Sequence, residues 1–227
     1  MKNRRGHSYL CGSLSCISCS SCLIVPSGVL CEIISLGVHA DLQRLIPAYS
    51  GLMLVSPKII DAINGQIGME LAASLQYDAI GAHFDLQSLP RLAQHFYKQS
   101  TEERGHAHRF MRFVLDAGAR VIIPAIEAPV PDFKFAKDAV KLSLDQEIKV
   151  TQAINGIYDL ALKENDHITS IFLQWFIKEQ VEEVASMNDL LKTVERAGEG
   201  GLLLVEQFLG QGVLGSTLGA SISEEKE

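Results

Sequence analysis

The chain has 227 residues, of which 47% are hydrophobic, and its formal net charge is −7. This length and composition suffice for one domain with a sizeable buried core, and the acidic balance excludes the basic footprint of a nucleic-acid-binding protein. No run of about 18 uncharged apolar residues lies in the body of the chain, so the sequence predicts no membrane span.

Residues 1–52 differ from the rest and contain all five cysteines, Cys11, Cys16, Cys19, Cys22 and Cys31. Two interpretations stay open: an upstream extension outside the working protein, with Met53 as the natural start, or a signal or transit peptide with an interrupted apolar region. Three of the cysteines have metal-ligand spacing, but no second Cys/His cluster follows at a zinc-finger distance. We expect a cytoplasmic protein unless this segment is a targeting peptide.

Between Ser56 and Ala197 the hydrophobic periodicity predicts four long amphipathic helices and no strands. The four are expected at about Pro57–Phe84 with Ser56 as N-cap, at Ser88–Ala117 with Ser88 ahead of Pro90, at Lys134–Asn165, and from near Asp166 to near Gly198. A short fifth helix is expected from Gly201 to Leu209. We therefore expect a working domain over residues 53–209 and a disordered tail over residues 210–227, which has little to bury.

The connections between these helices predict their arrangement. Short links join the first helix to the second and the third to the fourth, which favours two antiparallel hairpins. Residues 119–133 contain three prolines and cannot be helical throughout. At ~3.3 Å per extended residue this segment can run the length of a long helix. One long crossover between two hairpins is the ferritin-like all-α topology, a four-helix bundle.

Each predicted helix has a glutamate near the middle of its inward face: Glu70, Glu103, Glu147 and Glu183. A single glutamate in the middle of a helix usually faces solvent. Four that converge in a core repel one another, and each costs several kcal/mol if it is buried unpaired. Metal cations relieve that cost. Glu103 and His106 also form E-x-x-H, which places carboxylate and imidazole one turn apart on one face, as in di-iron bundle sites.

These residues resemble the bacterial non-haem ferritins over about Met53 to Leu209. The resemblance is carried by four stretches: Gly68-Met-Glu-Leu-Ala-Ala-Ser-Leu-Gln-Tyr77, Glu102-Glu-Arg-Gly-His106, Asp145-Gln-Glu147 and Phe172-Leu-Gln-Trp-Phe-Ile-Lys-Glu-Gln-Val-Glu-Glu183.

The resemblance implies a ligand set, residue by residue. Glu70, Glu103 and His106 would hold a first iron, with Glu103 bridging. Glu147 and Glu183 would hold a second, with Gln180 beside it. An auxiliary third iron position would comprise Glu102, Glu179 and Glu182. Tyr77 resembles a family tyrosine that bonds a ligand carboxylate and supplies an electron, and Trp175 resembles a nearby tryptophan; plain core packing stays open for both.

Neighbouring families fit less well. Bacterioferritin-like and rubrerythrin-like proteins repeat E-x-x-H on the fourth helix, where this chain has Gln180-x-x-Glu183. Bacterioferritins bind haem through a methionine directly after the second-helix glutamate, and here that residue is Arg104, so we expect no haem. Rubrerythrins add a four-cysteine module, whereas residues 53–227 contain no cysteine.

The implied function is ferroxidase activity with oxygen or peroxide, coupled to iron storage in a homo-oligomeric shell of twenty-four subunits. We expect neither nucleic-acid nor membrane partners. Two alternatives stay open: a di-iron or dimanganese oxidase or peroxidase without mineralisation, and a non-enzymatic bundle that binds a structural metal.

Overall fold

The computed structural model describes residues 53–211. The extension at residues 1–52 lies outside them, and so does the expected tail from residue 212 onward. Among the described helices none is long and apolar enough to cross a membrane.

The described residues form a bundle of four long helices followed by a short fifth, and the long crossover makes α2 and α3 run parallel. The elements are α1 (Pro57–Leu86), α2 (Pro90–Asp116), α3 (Ala136–Lys163), α4 (His167–Ala197), a 3₁₀ turn (Glu199–Gly201) and α5 (Leu202–Gly210). α1 packs on α2, α3 packs on α4, and α1 also contacts α3. The predicted fold class is confirmed, with two hairpins joined by the crossover at residues 117–135 and no strand within residues 53–211.

Ser56 caps α1 as predicted, Asp166 caps α4, and α2 and α3 each begin two residues later than expected. The Ser56 hydroxyl accepts from the Ile59 amide, and the Asp166 carboxylate accepts from the Thr169 amide at 3.0 Å. The prediction that α2 begins at Ser88 is wrong: α2 begins at Pro90, and Ser88 has φ of 60°. The tight turn needs a left-handed residue here, because the Leu89 amide must reach back to the Phe84 carbonyl.

Acidic side chains from the C-terminal segment cap two helices that have no side-chain cap of their own. The two carboxylate oxygens of Glu206 accept from the amides of Arg91 and Leu92, each at 2.8 Å. Glu199 accepts from the Ala136 amide at 2.9 Å. A negative charge at a helix N-terminus is stabilising, so α5 and the 3₁₀ turn fix the starts of α2 and α3.

The crossover is held along α1 by side-chain amides. Asn64 donates to the Arg120 carbonyl at 3.3 Å and accepts from the Ile122 amide at 3.0 Å. The Gln76 side chain likewise donates to the Val130 carbonyl at 3.0 Å and accepts from the Val130 amide at 2.9 Å. These bonds satisfy main-chain groups that have no helix or sheet partner.

The core consists of two apolar clusters separated by a polar layer. One contains Ile63, Ile67, Phe110, Ile154, Leu173 and Phe176, and the other contains Tyr77, Phe84, Phe96, Val140, Met187 and Val194. Between them lie the buried side chains of Glu70, Glu103 and Glu147. The predicted seams, apolar at the ends and polar in the middle, are therefore confirmed.

Candidate metal centre

The tightest polar group in the bundle joins α1 to α2. The carboxylates of Glu70 and Glu103 and the imidazole of His106 each place a ligand atom within 4.8 Å of the other two. Their relative exposures are 0%, 1% and 9%. Glu103 and His106 are one helical turn apart, which puts Nδ1 of His106 3.2 Å from Oε2 of Glu103.

This group contains carboxylate oxygens without hydrogen-bond partners. Oε2 of Glu70 and Oε1 of Glu103 are both buried, and neither has a partner in the structure. Because unsatisfied buried oxygens are costly, the arrangement favours a bound cation at this position. A set of carboxylates and one imidazole is a donor set that suits iron among the redox metals, so the residues present fit the expected ion.

Glu147 on α3 is held by a second set of contacts. The Tyr77 hydroxyl donates to Oε1 of Glu147 from α1. The Gln180 amide donates to the carbonyl oxygen of Glu147 at 3.3 Å and lies 3.4 Å from its Oε2. The same amide donates to the Thr151 hydroxyl at 3.1 Å. The structure therefore brings the side chains of Tyr77, Glu147 and Gln180 together.

Two glutamines that carry no predicted role orient the other carboxylates. Gln66, one turn before Glu70, donates to Oε1 of Glu70 at 2.8 Å. Gln99, one turn before Glu103, donates to Oε2 of Glu183 at 2.9 Å. Their position one turn from the cluster glutamates is the signal that could have identified them. Each amide fixes the direction of one cluster carboxylate and partly offsets the rise in pKa that burial causes.

Burial dominates the electrostatics of the cluster. It raises the pKa of Glu70, Glu103 and Glu147, and in each case a neighbouring glutamate raises the pKa further. The pKa of Glu183 is raised to about 8, first by burial and then by the charge of Glu147. Burial and the charges of neighbouring glutamates therefore both favour the protonated form of these four carboxyls.

The three residues expected at an auxiliary position lie outside this tight group and are partly exposed. Glu102 pairs with Lys98 at 3.0 Å. Burial raises the pKa of Glu179, and the charges of Glu182 and Glu102 raise it further. The charges of Glu102 and Glu182 therefore act on Glu179, although the three carboxylates do not form a group within ligand distance.

Trp175 lies beside the cluster. Its ring packs against the His106 ring in a T-shaped arrangement with 5.5 Å between ring centroids, and the Arg109 guanidinium lies 3.8 Å from the centroid of the Trp175 ring. Trp175 therefore packs directly against His106, a residue of the cluster.

The fold and this cluster define a four-helix-bundle protein with a carboxylate-rich centre. The family model "Ferritin-like domain" matches residues 60–197, more than half of the chain. "Ferritin BfrB" of Mycolicibacterium smegmatis is 45% identical over 147 residues, 65% of this chain and 81% of that protein. "Bacterial non-heme ferritin" of Staphylococcus aureus is 33% identical over 159 residues, 69% of this chain and 96% of that protein.

A solved structure agrees with these relatives. The open pore ferritin from the archaeon Archaeoglobus fulgidus is 32% identical, with a TM-score of 0.66 over 68% of this chain and 97% of that one. The chain therefore belongs to the ferritin family, as the sequence motifs predicted.

Proposed function

We propose that this protein oxidises Fe²⁺ at the buried carboxylate cluster and stores the Fe³⁺ product as a mineral inside an oligomeric shell. Iron storage is the function of the ferritin family, to which the chain belongs. The observation that carries the ferroxidase proposal is the convergence of Glu70, Glu103 and His106 within 4.8 Å.

Iron is the substrate at this site. Glu70, Glu103 and His106 would bind one Fe²⁺, and Glu147 and Glu183 would bind a second, with Glu103 between the two. Gln180 would line the second position. Because burial raises the pKa values of these carboxyls, binding of Fe²⁺ would displace protons. The two cations would then neutralise charge that the core cannot solvate.

Iron and the oxidant carry out the redox reaction, and the protein positions them. Two Fe²⁺ ions give up one electron each, and dioxygen takes both electrons with two protons to form hydrogen peroxide. The chain orients the ligands, excludes water through the apolar clusters on both sides, and holds the Tyr77 hydroxyl against Glu147. Where dioxygen is reduced beyond peroxide, Tyr77 would supply a further electron, and its hydroxyl proton would pass to Glu147.

Glu102, Glu179 and Glu182 are the proposed auxiliary iron position. All three are partly exposed on α2 and α4. Burial raises the pKa of Glu179, and the charge of Glu182 raises it further. A partly solvated acidic cluster attracts a hydrated divalent cation. This position would bind iron transiently as the ion enters or leaves the buried centre.

Exposed apolar side chains support assembly with further copies. On the crossover, Ile122 and Ile123 are 54% and 52% exposed, and on α5 Leu203 and Leu204 are 76% and 67% exposed. Apolar patches of this kind mark protein–protein contacts. We propose a cage of twenty-four subunits in the cytoplasm. We also propose a haem-free protein, because Arg104 stands where bacterioferritins have the methionine that binds haem.

One experiment tests this function. Fe²⁺ is titrated anaerobically into the iron-free protein, oxygen is admitted, and the oxidation rate and the iron retained per shell are both recorded. Fast oxidation with retention of many ions per subunit is the expected result. Oxidation with only a few ions retained would indicate a non-storage oxidase, and absence of oxidation would indicate a structural metal site. A protein that stays a monomer or dimer under all mild conditions would exclude storage.

A further inference from the structure

A groove of about 530 Å³ opens on the surface between α3 and α4. Its walls are formed mainly by aliphatic side chains, among them Leu144, Ile177, Val181 and Val184, and none of its lining residues is charged. It is larger than the two cavities described below, which have volumes of about 260 and 400 Å³.

The inner wall of this groove is shared with the candidate metal centre. Thr151 and Gln180 both line it. Both also bond Glu147: the Thr151 hydroxyl donates to the Glu147 carbonyl at 2.8 Å, and the Gln180 amide lies 3.4 Å from a carboxylate oxygen. One side chain therefore separates the apolar groove from a cluster carboxylate.

Two other cavities lack this connection. The groove between α1 and α3, of about 260 Å³, has Gln76, Gln146 and Lys149 among its lining residues. The Gln76 side chain already forms hydrogen bonds with Val130 on the crossover. A third cavity, of about 400 Å³, lies at the end of the bundle beside Glu164 and Asp166. Neither is lined by a cluster residue.

We propose that the α3–α4 groove is the entry port and holding site for dioxygen, with Gln180 and Thr151 as the inner gate. The inference rests on the proposed ferroxidase function and adds a separate route for its oxidant. Dioxygen is small and apolar, so it partitions into an uncharged aliphatic groove, whereas a hydrated Fe²⁺ ion loses solvation there without gaining a ligand. The partly exposed acids Glu102, Glu179 and Glu182 offer iron a different approach.

The test is to fill the groove and vary the oxygen concentration. Ala185 is half-buried in the groove wall, and Ala72 is half-buried in the wall of the α1–α3 groove, so Ala185→Phe and Ala72→Phe form a matched pair. In Ala185→Phe we expect the oxidation rate at limiting dioxygen to fall roughly five-fold, with anaerobic Fe²⁺ binding and the rate at saturating dioxygen preserved. Ala72→Phe should match the wild type.

Equal oxygen dependence in the two variants would overturn the proposal. A change in oligomeric state for Ala185→Phe without a change in oxygen dependence would also overturn it, since the groove would then be a contact between copies. If wild-type protein fails to oxidise Fe²⁺ at any oxygen concentration, the proposed function fails independently of the groove.

A second measurement uses the wild-type protein and therefore does not depend on the folding of Ala185→Phe. Crystals of the wild-type protein under xenon pressure should show anomalous density in the α3–α4 groove beside Gln180, because xenon occupies sites open to small apolar molecules. Xenon bound elsewhere in the bundle and absent from this groove would contradict the proposed port.

Discussion

The side-chain amide of Gln99 on α2 lies 2.9 Å from Oε2 of Glu183 on α4, and this bond joins two helices across the buried centre. Gln99 is only 5% exposed. The bond fixes the direction of a carboxylate that burial would otherwise favour in its protonated form. Gln99 is therefore a positioning residue for the second proposed iron position.

Replacement of Gln99 by alanine should weaken the second of two metal-binding events and spare the first. Loss of a group that orients a metal ligand costs about 10-fold or more in metal affinity. Anaerobic Co²⁺ titration by calorimetry measures the two events separately. Gln94→Ala is the matched control, because Gln94 is an exposed glutamine on the same helix. Unchanged affinity for both ions in Gln99→Ala would show that the bond has no role in binding.

Tyr77→Phe removes the hydroxyl that donates to Glu147 and keeps the ring that packs in the apolar cluster. We expect Fe²⁺ binding stoichiometry to remain and the oxidation rate to fall several-fold, since Glu147 loses its orienting partner. Stopped-flow absorbance reports the rate. Tyr97→Phe is the control, because the Tyr97 hydroxyl bonds Asp85 in an exposed pair. If both variants oxidise Fe²⁺ as fast as the wild type, Tyr77 serves only in packing.

The iron-free protein should lose stability as pH rises through the neutral range. A carboxyl whose pKa is raised by folding contributes stability that is complete below its unfolded pKa and is lost as pH rises through its folded pKa. For Glu183 this window runs from 4.5 to about 8, and the pKa values of Glu70, Glu103 and Glu147 are raised in the same direction.

Urea unfolding of the metal-free protein at pH 5 and pH 8 measures this effect. The fall in unfolding free energy between the two values should be larger for the wild type than for Glu183→Gln, which carries no charge at that position. Added divalent metal should recover the loss at pH 8. Equal falls in both proteins would mean that Glu183 does not bind protons as its burial requires.

The cap that α5 supplies to α2 should matter for stability. Glu206→Ala removes both hydrogen bonds to the Arg91 and Leu92 amides. By analogy with the loss of a helix N-cap, we expect a destabilisation of ~1–2 kcal/mol. Thermal unfolding of the variant beside Glu195→Ala, an exposed acid on α4, gives the comparison. Similar melting temperatures for these two variants would show that the cap contributes little.

The fold could be predicted from the sequence because α2, α3 and α4 are clearly amphipathic and the crossover contains three prolines. α1 is only weakly amphipathic, and Ser56 followed by Pro57 marks its start. The four midpoint glutamates also follow from the 3–4 spacing along each helix. The start of α2 could not be predicted, because Ser88 resembles an N-cap in the sequence. Its left-handed backbone depends on the hydrogen bond from the Leu89 amide to the Phe84 carbonyl. The partners of Gln66 and Gln99 depend on side-chain directions across the bundle, which periodicity alone does not fix.

The central claim is that the buried group of Glu70, Glu103 and His106 binds and oxidises Fe²⁺. The most direct test is the initial rate of Fe²⁺ oxidation in Glu103→Ala and His106→Ala, with Glu127→Ala, an exposed acid on the crossover, as control. The account predicts a loss of roughly 100-fold in both cluster variants, at the upper end of losses at metal sites, and a wild-type rate in the control. Wild-type rates in both cluster variants would contradict it.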